Sequence, residues 1–273
     1  MRPRDDRCGG VPDGDRGGVP NGDRVRPSGA GCDRYPDADR TDAAERIAAE
    51  VRDARPREVP KRLCAVAVEL LPVTGASASL RNDGVPLRLC ASSEQAARVA
   101  EIQTTLGDGP CVHAAETGAP VLACDLTRGP DADRWPVFAQ QATAAGVRAV
   151  YALPLGNDSV CVGTLDLYRD RPGRLTDGEL RTAELVADVM TVALTALPHD
   201  DEPDARGGES WLSGLATDHD AVHQAIGMIM AQLGVGADEA LARLRAHAFA
   251  GGRTALAVAR EVIARRTRFD RED

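Results

Sequence analysis

Residues 149–155 read Ala-Val-Tyr-Ala-Leu-Pro-Leu, and residues 160–168 read Val-Cys-Val-Gly-Thr-Leu-Asp-Leu-Tyr. Both stretches are short, apolar and rich in β-branched and aromatic side chains, a composition that is typical of strands. The Gly156-Asn157-Asp158 segment between them favours a tight turn. We therefore predict that this pair forms antiparallel strands in the sheet of the larger domain.

The flanking sequence extends this sheet. Strands are predicted at 76–80 and 85–91, joined by a turn at Asn82-Asp83-Gly84, and a further strand is predicted at 121–125. Helices are predicted at 94–106, 111–116, 136–145 and 176–197. Thr176 and Glu179 have the spacing of a capping box that opens the last of these helices. This order predicts an α+β fold in which helices flank one antiparallel sheet.

The chain before the sheet divides into two parts. Residues 1–40 are rich in Asp, Gly, Arg and Pro and contain a nearly repeated octapeptide, so we predict a disordered low-complexity segment. From Thr41, apolar residues recur at helical spacing, and Pro56 and Pro60 separate two helices. The larger domain is therefore predicted to span residues 41–197.

The C-terminal part is predicted to be all-α. Residues 198–210 form an acidic linker, and residues 211–269 contain three amphipathic segments. Gly234 ends the first segment, Gly251-Gly252 ends the second, and Thr254 is the expected N-cap of the third. Each segment has one apolar stripe to bury, which predicts a compact three-helix bundle.

Composition excludes several classes of protein. The formal net charge is −9, and no apolar run approaches the length of a membrane span, so we expect a cytoplasmic chain without a membrane partner. The single lysine, Lys61, is not in a phosphate-binding Gly-Lys-Ser/Thr motif. The seven cysteines include no Cys-x-x-Cys pair, and His219 with His223 lacks an obvious third ligand. We therefore predict reduced, mostly buried thiols and no metal site.

Short motifs carry two family resemblances. Residues from about 57 to 197 resemble a GAF domain through segments 106–111, 134–138 and 163–168. Residues from about 211 to 269 resemble an ANTAR domain through segments 224–230, 238–245 and 258–259, with Ala257 where the family often has an aspartate. The two modules occur together in actinobacterial regulators. This resemblance implies a transcription antitermination regulator whose ANTAR bundle binds paired RNA stem-loops in a nascent transcript.

The RNA-binding residues are predicted from side-chain chemistry within the ANTAR-like region. Arginines neutralise phosphate, an aromatic face stacks on a base, and small residues let a nucleotide approach the backbone. The predicted residues are Gln224, Ala225, Gly227, Arg245, Ala248, Phe249 and Arg253. From Trp211 to Phe269, seven arginines and five acidic residues give a formal charge of +2. Because this charge is small, we expect a homodimer that gains affinity from two sites.

The larger domain is predicted to sense an unidentified small molecule or a redox signal, with no resident cofactor. Four residues are predicted to line its pocket: Cys111, Trp135, Phe138 and Tyr151. The helix at 176–197, which leads to the linker, is expected to transmit the signal. A nucleophilic Cys111 with His113 as base is the enzyme alternative, but residues two apart do not readily touch on a strand or a helix.

Two alternatives to RNA binding remain open from the sequence. The bundle could bind a protein partner as part of a signalling scaffold, in which case the arginines would have little effect. A thiol-dependent enzyme would need a reactive Cys111, whereas cysteine is among the most often buried residue types. We therefore predict a regulator and not an enzyme.

Overall fold

The computed structural model describes residues 37–55, 58–82, 85–157, 160–195 and 211–270. Most of the predicted disordered segment, both predicted turn centres at Asp83-Gly84 and Asp158, and the acidic linker lie outside the described residues. The first helix begins at Asp37, slightly before the predicted domain boundary at Thr41.

The elements follow the predicted order closely. The helices are α1 Asp37–Arg52, α2 Val59–Leu70, α3 Glu94–Leu106, α4 Pro110–Thr117, α5 Pro130–Arg134, α6 Pro136–Ala144, α7 Asp177–Thr195, α8 Trp211–Leu233, α9 Ala237–Ala250 and α10 Ala255–Ile263. The strands are β1 Gly75–Asn82, β2 Val85–Ala91, β3 Val121–Ala123, β4 Ala149–Asn157 and β5 Val160–Arg169. The short helix α5 was not predicted, and β3 ends before the predicted residue 125.

The five strands form one antiparallel sheet in the order β2-β1-β5-β4-β3, which confirms the predicted fold class. The β4–β5 pair has Tyr151 opposite Leu167 and Leu155 opposite Gly163. At Gly163, an added Cβ would lie 2.0 Å from the backbone oxygen of Ser79 on β1. A side chain at this position would therefore force β1 and β5 apart, which explains the glycine within a strand.

The two faces of the sheet bury different clusters. Successive residues of a strand point to opposite faces. Leu153 and Leu155 on β4 pack in the cluster that includes α2 and α7, whereas Val150 packs with Trp135 and Phe138 beside α6. The α7 helix begins as predicted, since Thr176 Oγ1 accepts from the Glu179 backbone N–H at 3.3 Å and Glu179 Oε2 accepts from the Thr176 N–H at 2.7 Å.

Helices α8, α9 and α10 pack against one another as the predicted three-helix bundle. Ile229, Leu244 and Val258, one from each helix, are fully buried in its apolar core. Thr254 is the N-cap of α10, because its Oγ1 accepts from the Ala257 backbone N–H at 3.1 Å. The predicted helix ends and cap are therefore confirmed.

Within the described ranges, each helix taken singly is too short or too polar to cross a membrane. The segment Asp220–Leu233 of α8 and helix α9 reach the length and apolar composition of a membrane span only when taken together, and the two are bent by 103° relative to each other.

Candidate functional site

A set of polar side chains is buried between the sheet and helices α3 and α4. Ser77 and Ser79 on β1 lie opposite Asp166 and Thr164 on β5. Both residue pairs of the β1–β5 ladder therefore place their side chains on one face, and all four side chains are buried together with Gln103 of α3. We call Ser77, Ser79, Gln103, Thr164 and Asp166 the buried polar cluster. Burying polar groups costs free energy unless they find partners, so the cluster must be organised by hydrogen bonds.

Hydrogen bonds connect the cluster to both helices. Gln103 Nε2 donates to Asp166 Oδ2 at 3.5 Å, and Gln103 Oε1 accepts from the Cys111 backbone N–H at 2.8 Å. Ser77 Oγ lies 2.8 Å from the Tyr168 hydroxyl on β5. Gln103 thus joins the carboxyl group of Asp166 to the first turn of α4.

Asp166 is an unusual carboxyl group. Burial raises its pKa to about 7, although hydrogen bonds from neighbours, led by the Thr164 hydroxyl and the Cys111 thiol, partly offset the effect. Its Oδ1 atom is buried without a well-formed hydrogen bond to any described residue. The carboxyl group therefore changes charge near neutral pH and has spare capacity to bind a donor.

Cys111 lies in the first turn of α4, which begins at Pro110, one residue before the predicted start at 111. Burial, followed by the nearby Asp166 charge, raises the pKa of its thiol well above the ordinary value. His113 is turned away and contacts the Arg134 guanidinium instead. A buried thiol whose pKa is raised stays protonated and is a poor nucleophile, which argues against Cys111 as the catalytic residue of an enzyme.

A small cavity of about 60 Å³ opens beside the cluster, between α4 and strands β1 and β5. Its lining includes Ser79, Arg81, Cys111, Glu116 and Thr164. This volume holds about two water molecules. An organic effector would therefore have to displace neighbouring side chains to enter.

The four predicted pocket residues do not share one site. Trp135 and Phe138 are buried in an apolar cluster with Val150, on the same face of the sheet as Cys111. Tyr151 points to the opposite face, where it packs with the α2 and α7 residues and donates to the Gly173 carbonyl oxygen at 2.7 Å. The prediction of a shared pocket is wrong for Tyr151, because adjacent residues of a strand face opposite sides.

The predicted RNA-binding residues divide by exposure. Gln224 and Gly227 are exposed on α8, one turn apart, and Phe249 at the end of α9 is 46% exposed. Ala225 and Ala248 are fully buried in the bundle core. The prediction that a nucleotide approaches the backbone at these two alanines therefore disagrees with their burial, and the physical reason is helical periodicity: they lie on the apolar stripe.

The two arginines chosen from the sequence have different surroundings. Arg253 is partly buried and forms an ion pair with Glu261 of α10. Arg245 is half-buried, and an added Cβ at Gly107 would lie 2.4 Å from its Nη1 atom. Burial lowers the pKa of Arg245. The guanidinium of Arg245 therefore packs on the turn that ends α3.

A second contact joins the same turn of α3 to the bundle. The buried Thr105 Oγ1 accepts from the backbone N–H of Ala255, the first residue of α10, at 3.1 Å. The N-terminus of α10 is thus capped twice, by its own Thr254 and by Thr105 of the sheet domain. Local sequence patterns did not indicate this contact, because the two residues are 150 positions apart.

Four exposed arginines were counted in the sequence but not selected as binding residues. They lie on α10 or just after it: Arg260, Arg265, Arg266 and Arg268. Their concentration near the C-terminus could have identified them.

Within the described parts of the chain, no three His, Cys, Asp or Glu side chains come together as a metal site requires.

Comparison with known proteins identifies both domains. The GAF domain family model matches residues 53–195, and the ANTAR domain model matches residues 213–263. The comparison with curated proteins finds no match.

Solved structures similar to this chain include GAF domains of two phosphoenolpyruvate-protein phosphotransferases. The one from Coxiella burnetii is 14% identical, with 58% of this chain and 94% of that chain covered and a TM-score of 0.47. The one from Acinetobacter is 11% identical, with 57% and 92% covered and a TM-score of 0.46. The reduced form of fRMsr from Staphylococcus aureus is 13% identical, with 56% and 94% covered and a TM-score of 0.44.

GAF domains sense small molecules, and ANTAR domains bind RNA in transcription antitermination. Both are regulatory domains. The GAF model alone matches more than half of the chain. The chain therefore belongs to the GAF domain family and carries an ANTAR domain after its GAF domain.

Proposed function

We propose that this protein is a transcription antitermination regulator whose ANTAR bundle binds tandem stem-loops in a nascent RNA, under the control of its GAF domain. The observation that carries the proposal is the exposed surface of α8 around Gln224 and Gly227. On this surface the polar side chain of Gln224 lies near the backbone of Gly227, which no side chain covers.

No close contact within the described chain explains the glycine at position 227. It lies within α8, and no atom outside its own helix backbone and chain neighbours lies within 4 Å of where its Cβ would be. Glycine within a helix costs roughly 0.5–1 kcal/mol relative to alanine. A residue that destabilises its helix without relieving any contact suits a position where another molecule approaches the backbone closely. The exposed Gln224, one turn away, supplies donors and an acceptor for a base edge.

The remaining RNA contacts are proposed to come from cations and one aromatic ring. Phe249 offers an exposed face for stacking, and Arg253 lies nearby in sequence at the start of the turn into α10. The arginines at the end of α10 add positive charge for phosphate. Arg245 packs on α3, so its full use by RNA would require the bundle to move away from the GAF domain.

We infer that the α3 helix carries the signal. It holds Gln103, which binds Asp166 and Cys111, and its C-terminal end contacts the bundle through Thr105 and the capping residue Gly107. The α7 helix, which the sequence suggested for this role, packs mainly against α1, α2, β4 and β5. An effector that alters the buried polar cluster would therefore act on the bundle through α3.

The test is RNA binding by the full chain. A tandem stem-loop RNA, recovered by crosslinking to the protein in cells, is titrated at several salt concentrations. We expect affinity to fall with salt, and expect Arg253→Ala to weaken binding and reduce the salt slope. Arg243→Ala is the matched control, since Arg243 is likewise ion-paired, with Glu239 of α9, but is not among the proposed RNA contacts. Salt-independent binding, or the same loss for both variants, would contradict the proposal.

Gly227→Ala provides the sharper test. We expect this variant to have an unchanged or slightly higher unfolding temperature, because alanine is the better helix former, but a several-fold lower RNA affinity. Size-exclusion chromatography with light scattering separates RNA contact from dimer formation. A variant that loses its dimer but keeps its affinity per subunit would assign Gly227 to the dimer interface and not to RNA.

The second candidate function is a scaffold whose bundle binds a protein partner. The exposed Phe249 favours it, since an aromatic side chain on a surface is a common anchor in protein interfaces. In that case Phe249→Ala would abolish partner binding, whereas Arg253→Ala would leave it unchanged. Capture of this protein from crosslinked cells, followed by analysis of both the RNA and the proteins that are recovered with it, distinguishes the two functions.

A further inference from the structure

Two cysteines from distant parts of the GAF domain lie in contact. Cys64 on α2 and Cys90 on β2 have their Sγ atoms 3.4 Å apart, although the residues are 26 positions apart in the sequence. Cys64 is fully buried, and Cys90 is partly exposed. The sequence did not indicate this pair, because no Cys-x-x-Cys motif joins the two.

The position of the pair favours contact with an oxidant from one side. Strand β2 is at the edge of the sheet, and Cys90 packs at the border of the core cluster that contains Cys64. Because Cys90 is partly exposed, a small oxidant can reach it from solvent, while Cys64 lies behind it as a partner. A disulfide has an S–S distance of about 2.05 Å, so closing the pair requires a movement of only about 1.3 Å.

We propose that Cys64 and Cys90 are a redox-sensitive pair that a peroxide converts into a disulfide linking α2 to β2.

The reaction balances with hydrogen peroxide as the oxidant. The Cys90 thiolate attacks one peroxide oxygen, the O–O bond breaks, and Cys90 becomes a sulfenic acid as hydroxide leaves and takes up a proton to form water. The Cys64 sulfur then attacks the Cys90 sulfur, loses its own proton and displaces the hydroxyl group as a second water. Two thiols are oxidised by two electrons in total, and one peroxide is reduced to two waters. A dithiol reductant reverses the modification by exchange.

The electrostatics assign Cys90 as the residue that reacts first. The hydrogen bond with Cys64 lowers the pKa of Cys90 against the opposing effect of burial, and the positive charges of Arg88 and Lys61 add to the lowering. The same hydrogen bond, together with burial, raises the pKa of Cys64. The more exposed cysteine is therefore also the one with more thiolate, which is the species that peroxide oxidises.

The disulfide would lie next to the output bundle. Strand β2 contacts α8 of the ANTAR domain as well as α2. Shortening the Cys64–Cys90 distance would therefore shift the strand on which α8 rests. Formation of the disulfide is independent of the proposed RNA binding, whereas its effect on output rests on that proposed function.

The experiment uses the full chain carrying Cys8→Ser and Cys32→Ser, so that only the five cysteines of the described region remain. The protein is treated with hydrogen peroxide in slight excess, the remaining thiols are alkylated, and a non-reducing digest is analysed by mass spectrometry. We expect the Cys64 and Cys90 peptides to be linked, with a mass two hydrogens below the sum of the two reduced peptides, and dithiothreitol to restore both thiols. Thermal unfolding of the oxidised form should begin at a higher temperature.

Variants distinguish the roles of the two cysteines. Cys64→Ser should leave Cys90 to accumulate as a sulfenic acid that a dimedone probe traps, whereas Cys90→Ser should leave the protein resistant to the same dose. Cys161→Ser, a partly exposed cysteine of β5, is the matched control and should form the disulfide normally.

Linkage of other cysteines, linkage between chains, or no loss of thiols in folded protein would overturn the proposal. If the disulfide forms but RNA affinity does not change, the redox pair stands and its coupling to output fails. If RNA binding itself is absent in both forms, the proposed function fails and the disulfide stands.

Discussion

The interiors of the two domains differ in chemistry. The GAF domain buries five polar side chains in one cluster, with Asp166 among them. Within the described part of the ANTAR bundle, the buried side chains are apolar throughout, with Ile229, Leu244 and Val258 at the centre. A polar interior depends on protonation and on bound ligands, whereas an apolar interior depends on shape. Under the proposed function, this difference predicts that the GAF domain receives the signal and that the bundle responds as a rigid unit.

The difference between the two interiors depends first on the charge of Asp166. Ionisation of this carboxyl group has the largest expected effect on stability. Its raised pKa means that the folded state keeps a proton which the unfolded state loses between about pH 4 and pH 7. The stability of the GAF domain should therefore fall as pH rises through that window, by on the order of 4 kcal/mol in total. Asp166→Asn cannot ionise, so its stability should fall far less over the same range.

The measurement is urea unfolding at pH 5 and at pH 8. Trp135 lies in the GAF domain and Trp211 in the ANTAR domain, and the chain has no other tryptophan. Fluorescence of a Trp211→Phe background therefore reports on the GAF domain alone. If the free energy of unfolding changed with pH equally in wild type and Asp166→Asn, Asp166 would not be the cause of the pH dependence. The proposed difference between the polar and the apolar interior would then be weakened.

The apolar bundle should be sensitive to a cavity. Leu244 is fully buried among all three helices, so Leu244→Ala should destabilise the bundle by about 3 kcal/mol. Helical circular dichroism should then fall at a lower temperature than the change in Trp135 fluorescence. Leu241→Ala, at a partly exposed position of the same helix, is the control and should cost much less. If Leu244→Ala and Leu241→Ala lowered the stability of the bundle equally, the bundle would be loosely packed.

The link between the domains should respond to Thr105→Val. This change keeps the shape of the side chain but leaves the buried Ala255 N–H without its acceptor, at a cost of about 2 kcal/mol. We expect the two domains to unfold in two separate transitions and the bundle to become more open to proteolysis. Thr104→Val is the matched control, because the Thr104 hydroxyl donates to Ala100 within α3 itself. A single unchanged transition for Thr105→Val would refute coupling through α3.

The smallest expected effect is at the other cap of α10. Thr254→Ala removes the hydroxyl that accepts from the Ala257 N–H and should cost about 1 kcal/mol, without separating the domains. Thr254→Ser retains the hydroxyl and should restore stability. If Thr254→Ala instead separated the domains as Thr105→Val is expected to, the two caps could not be assigned different roles.

Local patterns predicted the elements well. Helix α3 and strand β2 have the predicted bounds, and the capping box at Thr176 and the N-cap at Thr254 form as expected. These features depend on side chains within a few residues of one another. The same helical periodicity places Ala225 and Ala248 on the apolar stripes of their helices, so their burial could have been predicted from the sequence.

The candidate sites were harder to predict, because they join distant parts of the chain. Alternation along β4 indicates that Tyr151 opposes Val150, but only the packed sheet determines which face meets α4. The contact of Cys64 with Cys90 likewise depends on how α2 crosses the edge strand.

By itself the sequence determined the types of element, their order, the antiparallel sheet and the apolar bundle, because each follows from short-range spacing of apolar residues, turns and caps. Only the tertiary structure decided that Asp166 is buried, that Arg245 packs on Gly107 and that Thr105 caps α10. Each of these depends on a long-range contact, whose partner is selected by the close packing of the whole chain and not by its neighbours in sequence.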